Sequence, residues 1–353
     1  MGASTEFERI AGGHARAGPI KGFQGMTDSE LLIETMDKRV QRRDERREFF
    51  KAAFGVGAFA VGGAAALSFS SKAGAQSTVT DADVLNFALN LEYLEAQFYA
   101  YAANGTGLAA NQQTGTGTQG AVQIGTGTSQ ARRVAFTDPA IAAYAREIAA
   151  DEIAHVNFLR TALGTSAVAQ PAINIAGGAG SAFAAAATAA GVPGGSTFDP
   201  YSSDDAFLLG AFIFEDVGVT AYKGASPLIQ NKTFLEAAAG ILAVEAYHAA
   251  IVRTALYARG VATPSLRTNA DAISNARDSL DGATDLDQGI SPLTRTGATT
   301  LESNIVPLDG NGIAFSRSPG QVLNIVYLNR AAVTMGGFFP AGVNGTLRAS
   351  AAN

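Results

Sequence analysis

The chain of 353 residues has three histidines, and two of them stand in the same phrase written twice. Residues 148–163 read IAADEIAHVNFLRTAL and residues 241–256 read ILAVEAYHAAIVRTAL, identical at 8 of 16 positions. Each copy carries a Glu and, three residues later, a His: Glu152 and His155, then Glu245 and His248. On a helix, positions three apart lie about 60° from each other on adjacent turns. A carboxylate and an imidazole so placed can reach one metal ion. A lone Glu-x-x-His is an ordinary surface pair. Two of them in matching, nearly uncharged contexts such as AVEAYHAAIV do not read as solvated faces.

The segments preceding the two copies match as well. Glu92 laid over Glu215 puts Tyr99 on Tyr222 and Ala102 on Ala225. The chain is thus two copies of a helix pair, Glu…Tyr followed by Glu-x-x-His. The copies differ in length by 30 residues, 60 from Glu92 to Glu152 against 30 from Glu215 to Glu245, and the Gly/Thr-rich stretch 104–133 supplies the excess. Seven residues turn a helix by roughly 700°, close to two revolutions, so each Tyr shares the inner face of its Glu. Four helices then bring four carboxylates and two imidazoles into one bundle interior. Four uncompensated buried carboxylates would cost several kcal/mol each or be neutralised by protons. Two divalent cations balance them. With no Cys in the chain, the donors are oxygen and imidazole, which suits iron or manganese.

One Glu from each of two helices plus Glu-x-x-His from each of the other two is the pattern of the ferritin-like di-iron and di-manganese carboxylate proteins. The phrases LNLEYLEAQFY and GGFFPAGVNG, with the leader described below, resemble more specifically the exported ferritin-like family related to desiccation-associated proteins. The resemblance covers most of 81–345. It implies an all-α core, a ferritin-like four-helix bundle with a long crossover, and two metal ions held by Glu92, Glu152, His155, Glu215, Glu245 and His248, with Glu152 and Glu245 as bridges. Glu95 competes with Glu92 for the first-helix ligand position. The repeat favours Glu92, because Glu95 falls on Gly218, and leaves Glu95, Tyr99 and Tyr222 beside the ligands. Asp151 and Asp216 flank ligands and are candidates to orient the histidine rings.

The elements that must position these residues are readable from the apolar spacing. The sequence predicts helices over 81–103, capped by Asp81 or Asp83, over 138–164 opening at Asp138-Pro139, from Ser203 or Asp204 through AFLLGAFIFEDVGVTAYKGA, and over 234–259, stopped by Gly260. Between them, 104–133 reads as an excursion without packing residues, with a hairpin around Val122–Ile124. The connection 164–203 is long enough to cross the bundle. The tail 261–353 reads as an irregular wrap, giving three regions: 1–75 leader, 76–260 bundle, 261–353 extension.

The leader contains RREFFK (Arg46–Lys51), an apolar run of about 18 residues and Ala73-Gly74-Ala75. Arg46 and Arg47 fit the twin-arginine export signal, which implies the twin-arginine machinery as a partner, cleavage after Ala75 and a periplasmic or cell-envelope location. A membrane anchor is the alternative, but the run is diluted with Gly and Ala. Net charge is −6, which offers no basic face to nucleic acid. The expected activity is redox chemistry on peroxide, dioxygen or ferrous iron, with self-association left open. The alternative is a non-catalytic stress or desiccation protein of the envelope.

Overall fold

The computed structural model describes residues 79–294 and 299–353, so the leader, Arg46, Arg47 and the cleavage point lie outside the described residues. The described residues belong to one compact unit. Its helices are α1 (Asp81–Asn104), α2 (Pro139–Leu163), α3 (Ala182–Ala189), α4 (Asp204–Phe212), α5 (Glu215–Ala225), α6 (Lys232–Arg259), α7 (Ser265–Asp281) and α8 (Pro319–Val326). The core is all-α: α1 packs on α2 and α5 on α6 as two antiparallel pairs, and the pairs close into a four-helix bundle.

Local chemistry sets the helix starts. Thr80, not Asp81 or Asp83, caps α1, in a reciprocal box in which its side chain accepts from Asp83 N and Asp83 accepts from Thr80 N. Asp138 caps α2 ahead of Pro139, and Ser203 caps α4. Helix α1 is buried almost all round from Val84 to Ala103, which is why its apolar residues show little one-sided pattern. It is the axis around which the remaining layers assemble. Phe98 on α1 anchors an aromatic cluster with Phe183, Tyr201, Phe207 and Phe214, and Phe338 from the tail closes it.

Three expectations need correction. The excursion 104–133 does pack: Thr116 and Gly120 bond to the crossing segment at Ala167, Ala169 and Gln170. Instead of a hairpin, β1 (Val122–Gln123) pairs in parallel with β2 (Ile173–Asn174), which lies in that crossing segment. The predicted third helix is broken between Phe212 and Glu215 into α4 and α5. Arg277 of α7 donates to the carbonyls of Phe212 and Ile213 that the break frees.

The tail is also more ordered than its composition suggests, since it contributes α7 and α8. Three buried arginines tie it to the bundle. Arg277 donates to Asp216 (2.8 Å) and Asp287 (2.7 Å). Arg253 of α6 donates to Asp216 (2.8 Å) and to the carbonyls of Gln288, Gly289, Asn304 and Ile305. Arg317 bonds Asp281, Asp287 (2.9 Å) and Thr220. Three cations thus meet three carboxylates, Asp216, Asp281 and Asp287. The backbone at Arg317 comes so close to α5 that a Cβ on Gly224 would lie 1.9 Å from its carbonyl oxygen.

Removing one member of such a network strands the others in a dry interior. Arg277→Ala is expected to cost about 3–5 kcal/mol of stability. A thermal or urea denaturation midpoint measured beside wild type checks this, and an unchanged midpoint would show that water reaches the network.

Candidate metal centre

The bundle interior brings all six predicted ligands together. Glu92 and Glu95 stand on α1, Glu152 and His155 on α2, Glu215 at the first turn of α5, Glu245 and His248 on α6. Glu92, Glu152 and Glu245 are fully buried, Glu215 is 1% exposed, and His155 is 8% exposed. Two groups of donor atoms form, each lying within 4.8 Å of one another: Glu92, Glu152, Glu245 and His155, and then Glu152, Glu215 and His248. His155 Nδ1 is 3.2 Å from Glu92, 3.6 Å from Glu152 and 3.9 Å from Glu245. His248 Nδ1 is 2.9 Å from Glu152 and 3.7 Å from Glu215. Glu152 belongs to both groups. Glu245 belongs to the His155 group, and Glu95 to neither.

The tyrosines explain the seven-residue spacing. Because α1 and α5 run antiparallel, the hydroxyl of Tyr99 donates to Glu215 and that of Tyr222 donates to Glu92. Each carboxylate is fixed by the tyrosine of the other half. Among the described residues, both oxygens of Glu152, both of Glu245, Oε2 of Glu215 and Nδ1 of His248 lack a hydrogen-bond partner although buried. Buried polar groups without partners are rare in folded proteins, and six converging on one place are rarer. All are Lewis-basic donors of the kind that hold hard or borderline divalent cations. The residues present fit two such ions. The carboxylate of Asp151 accepts from Nε2 of His248 at 3.2 Å and so orients that ring with Nδ1 inward. Asp216 does not orient a histidine; it is held by Arg253 and Arg277.

The electrostatics agree with a site built for cations. Burial, reinforced by Glu152, raises Glu92 to about 7, and burial raises Glu215 to about 8. Glu95 and Glu245 are pushed well up, by burial first and then by neighbouring carboxylates. For Glu152 burial is overcome by the two histidines beside it, His155 and His248, which hold it at about 2. Burial opposes the charged histidines but is outweighed by Glu152 and its neighbours, leaving His155 at about 11 and His248 at about 9. Burial and Glu215 or Glu92 also raise Tyr99 and Tyr222 well above the usual phenol range, so both remain hydrogen-bond donors.

Sequence reasoning did not single out Arg253, Arg277 and Arg317. One signal was present, because Arg253 is the Arg of the repeated Arg-Thr-Ala-Leu. Its counterpart Arg160 bonds the Tyr93 hydroxyl and the carbonyls of Asn111 and Thr114 in the excursion. The repeated arginine does one job twice, anchoring the segment that covers its own half.

A four-helix bundle with this ligand layout defines the class of ferritin-like carboxylate proteins. The family model described as Ferritin-like domain matches residues 80–258, and the chain belongs to that family. It is 28% identical over 274 residues to the Ferritin-like catalase Nec2 of Nesocodon mauritianus, covering 76% of this chain and 84% of that one. It is 30% identical over 253 residues to the Desiccation-related protein PCC13-62 of Craterostigma plantagineum, covering 69% and 76%. No solved structure matches significantly.

Protons and cations compete for these donors. Glu92, Glu215, His248 and His155 lose their protons only as pH rises through about 7, 8, 9 and 11, so metal affinity is expected to climb with pH across that range. The slope is roughly tenfold per pH unit for each proton released. Mn(II) binding by equilibrium dialysis at several pH values, with proton release followed in weak buffer, measures it. An affinity flat with pH would contradict a site made of these groups.

Proposed function

We propose that the chain is an exported protein that holds two iron or manganese ions and disposes of peroxide. The observation that carries this reading is the set of buried donor atoms on Glu152, Glu215, Glu245 and His248 that make no hydrogen bond among the described residues and converge on one place. The similarity to a protein named as a ferritin-like catalase points to peroxide ahead of dioxygen or ferrous iron. Export through the twin-arginine route to the periplasm or envelope rests on the leader sequence around Arg46 and Arg47.

When bound, such a metal pair supplies two-electron exchange with the O–O bond, so that one peroxide is reduced to water while another is oxidised to dioxygen. The chain supplies the setting. Tyr99 and Tyr222 each hold one oxygen of Glu215 and Glu92. Asp151 fixes the His248 ring. Phe98 and Phe207 pack on the ring of Tyr99, the residue that holds Glu215. Of the six ligands His155 is the most exposed, with a side chain 10% accessible.

The test is metal analysis and oxygen evolution on mature protein purified without chelator, beside a Glu152→Ala, His155→Ala double variant. About two iron or manganese ions per chain are expected, with one dioxygen evolved for every two peroxides consumed. Both should be lost in the variant. Bound metal that oxidises Fe(II) but evolves no dioxygen would replace peroxide with iron as substrate. A folded, metal-free wild type would favour the non-catalytic stress role, which the desiccation-related relative also suggests.

A further inference from the structure

The repeat also relates residues outside the metal centre, and there the two halves differ in bulk. A cavity of about 90 Å³ lies between α5, α6 and the tail. Its buried end is bordered by Asp216, Arg253 and Asp287, and its mouth by the exposed Ala246 and Val306. Apart from Arg253, α5 and α6 give it six residues, and at five of them the first half carries a larger side chain: Tyr93 for Asp216, Gln97 for Thr220, Ile153 for Ala246, Val156 for Ala249 and Asn157 for Ala250. Val219, against Ala96, runs the other way. Tyr93 is fully buried, and its hydroxyl accepts from Arg160, the repeat partner of Arg253. The first half thus sets a phenol ring beside its arginine. The second half sets a short carboxylate and three alanines there, and is open.

Arg253 keeps this space from closing and from holding water. It spends all its N–H donors: Nε on the Ile305 carbonyl, Nη1 on Asp216 and the Gln288 carbonyl, Nη2 on the carbonyls of Gly289 and Asn304. Those bonds pin the tail backbone at the outer wall, so the wall cannot settle onto the alanines of α6. The guanidinium then has nothing left to offer a water, and Thr220 gives its hydroxyl proton to the Val217 carbonyl. Apolar cavities of this kind stay dry and take up apolar molecules. A cavity of about 150 Å³ encloses a benzene ring completely, so a single ring fits here with part of its rim at the mouth. One acceptor remains at the buried end. Oδ2 of Asp216 receives Arg253 and Arg277, whereas its Oδ1 is buried and makes no hydrogen bond among the described residues.

We infer that this cavity is a binding site for a small neutral aromatic molecule with one hydroxyl group, a simple phenol, whose ring takes the place that Tyr93 has in the other half and whose hydroxyl donates to Oδ1 of Asp216. The apolar wall rejects a charged ligand, because the cost of drying the charge is not returned there. A phenolate or carboxylate would in addition face the Asp216 carboxylate. A hydroxyl that donates one hydrogen bond satisfies the unpaired oxygen at no such cost. The site stands apart from the six metal-site residues, although Asp216 is the chain neighbour of Glu215.

The test is binding of phenol and of benzene to the full-length mature protein as purified, followed by saturation-transfer nuclear magnetic resonance and titration calorimetry. Saturable one-to-one binding of phenol is expected, with benzene roughly tenfold weaker for want of one hydrogen bond to a carboxylate. An Ala246→Ile, Ala249→Val double variant carries the residues of the first half. It should lose phenol binding while its melting midpoint stays at or above that of wild type, because it fills a cavity. Ala249→Val alone, the smaller change, should weaken phenol in the same direction and serves where the double variant melts lower. Phenol held no more tightly than benzene overturns the inference, as does a wild type that binds neither. Wild-type affinity for phenol in a folded variant of either kind overturns it too, since the molecule then binds elsewhere.

Discussion

Seven titratable side chains, Glu92, Glu95, Glu152, Glu215, Glu245, His155 and His248, share an interior from which water is almost excluded. That concentration of charge is the constraint on which the rest of the structure depends. A carboxylate moved out of water without a counter-charge costs more than any packing nearby returns, so it must meet a cation, a proton or a donor. Each solution appears here. Tyrosine hydroxyls take one oxygen each of Glu92 and Glu215, the histidines charge-balance Glu152, and the oxygens of Glu245 are left without a hydrogen bond.

The tail solves a second problem of the same kind. Glu215 must project from the first turn of α5, and α5 begins where α4 breaks. The break frees the carbonyls of Phe212 and Ile213 in a buried place, and Arg277 satisfies them. The same guanidinium fixes Asp216, the neighbour of Glu215. The extension 261–353 is therefore part of what aims a ligand. Its charges cancel locally, three arginines against Asp216, Asp281 and Asp287, with Asp287 held down despite burial by Arg277 and Arg317.

Most of the site was legible in the sequence because its rules are local. The seven-residue Glu…Tyr spacing and the three-residue Glu…His spacing follow from helix geometry alone, and duplication supplied a second reading of each. What stayed hidden depends on partners distant in the chain. AFIFED contains no Gly or Pro to announce a break, since the break is stabilised by Arg277 some 60 residues on. Helix α7 was missed because its inward face includes Ser274, Arg277 and Asp281, residues that read as solvent-facing until their partners are known. The parallel pairing of Val122–Gln123 with Ile173–Asn174 joins segments on either side of α2, which no local turn signal encodes. Glu95 could be separated from Glu92 only by the repeat, and the geometry draws the same distinction by leaving Glu95 outside both donor groups.

An interior that accepts either protons or cations need not wait for metal in order to fold. With His155 and His248 charged, Glu152 and Glu92 ionised beside them, and Glu95, Glu215 and Glu245 holding protons, the metal-free centre has a neutralised arrangement of its own. Small metal domains that lack a core unfold when stripped, because the metal is their main source of folding free energy. Here an all-α core with a buried aromatic cluster and a separate Arg–Asp network exists beside the site. Carboxylate and imidazole donors rank the divalent metals by a fixed order, so on the proposed reading metal choice would be left to supply. On the proposed export route, where the chain folds before it crosses the membrane, the compartment of folding and not the compartment of action would decide between iron and manganese.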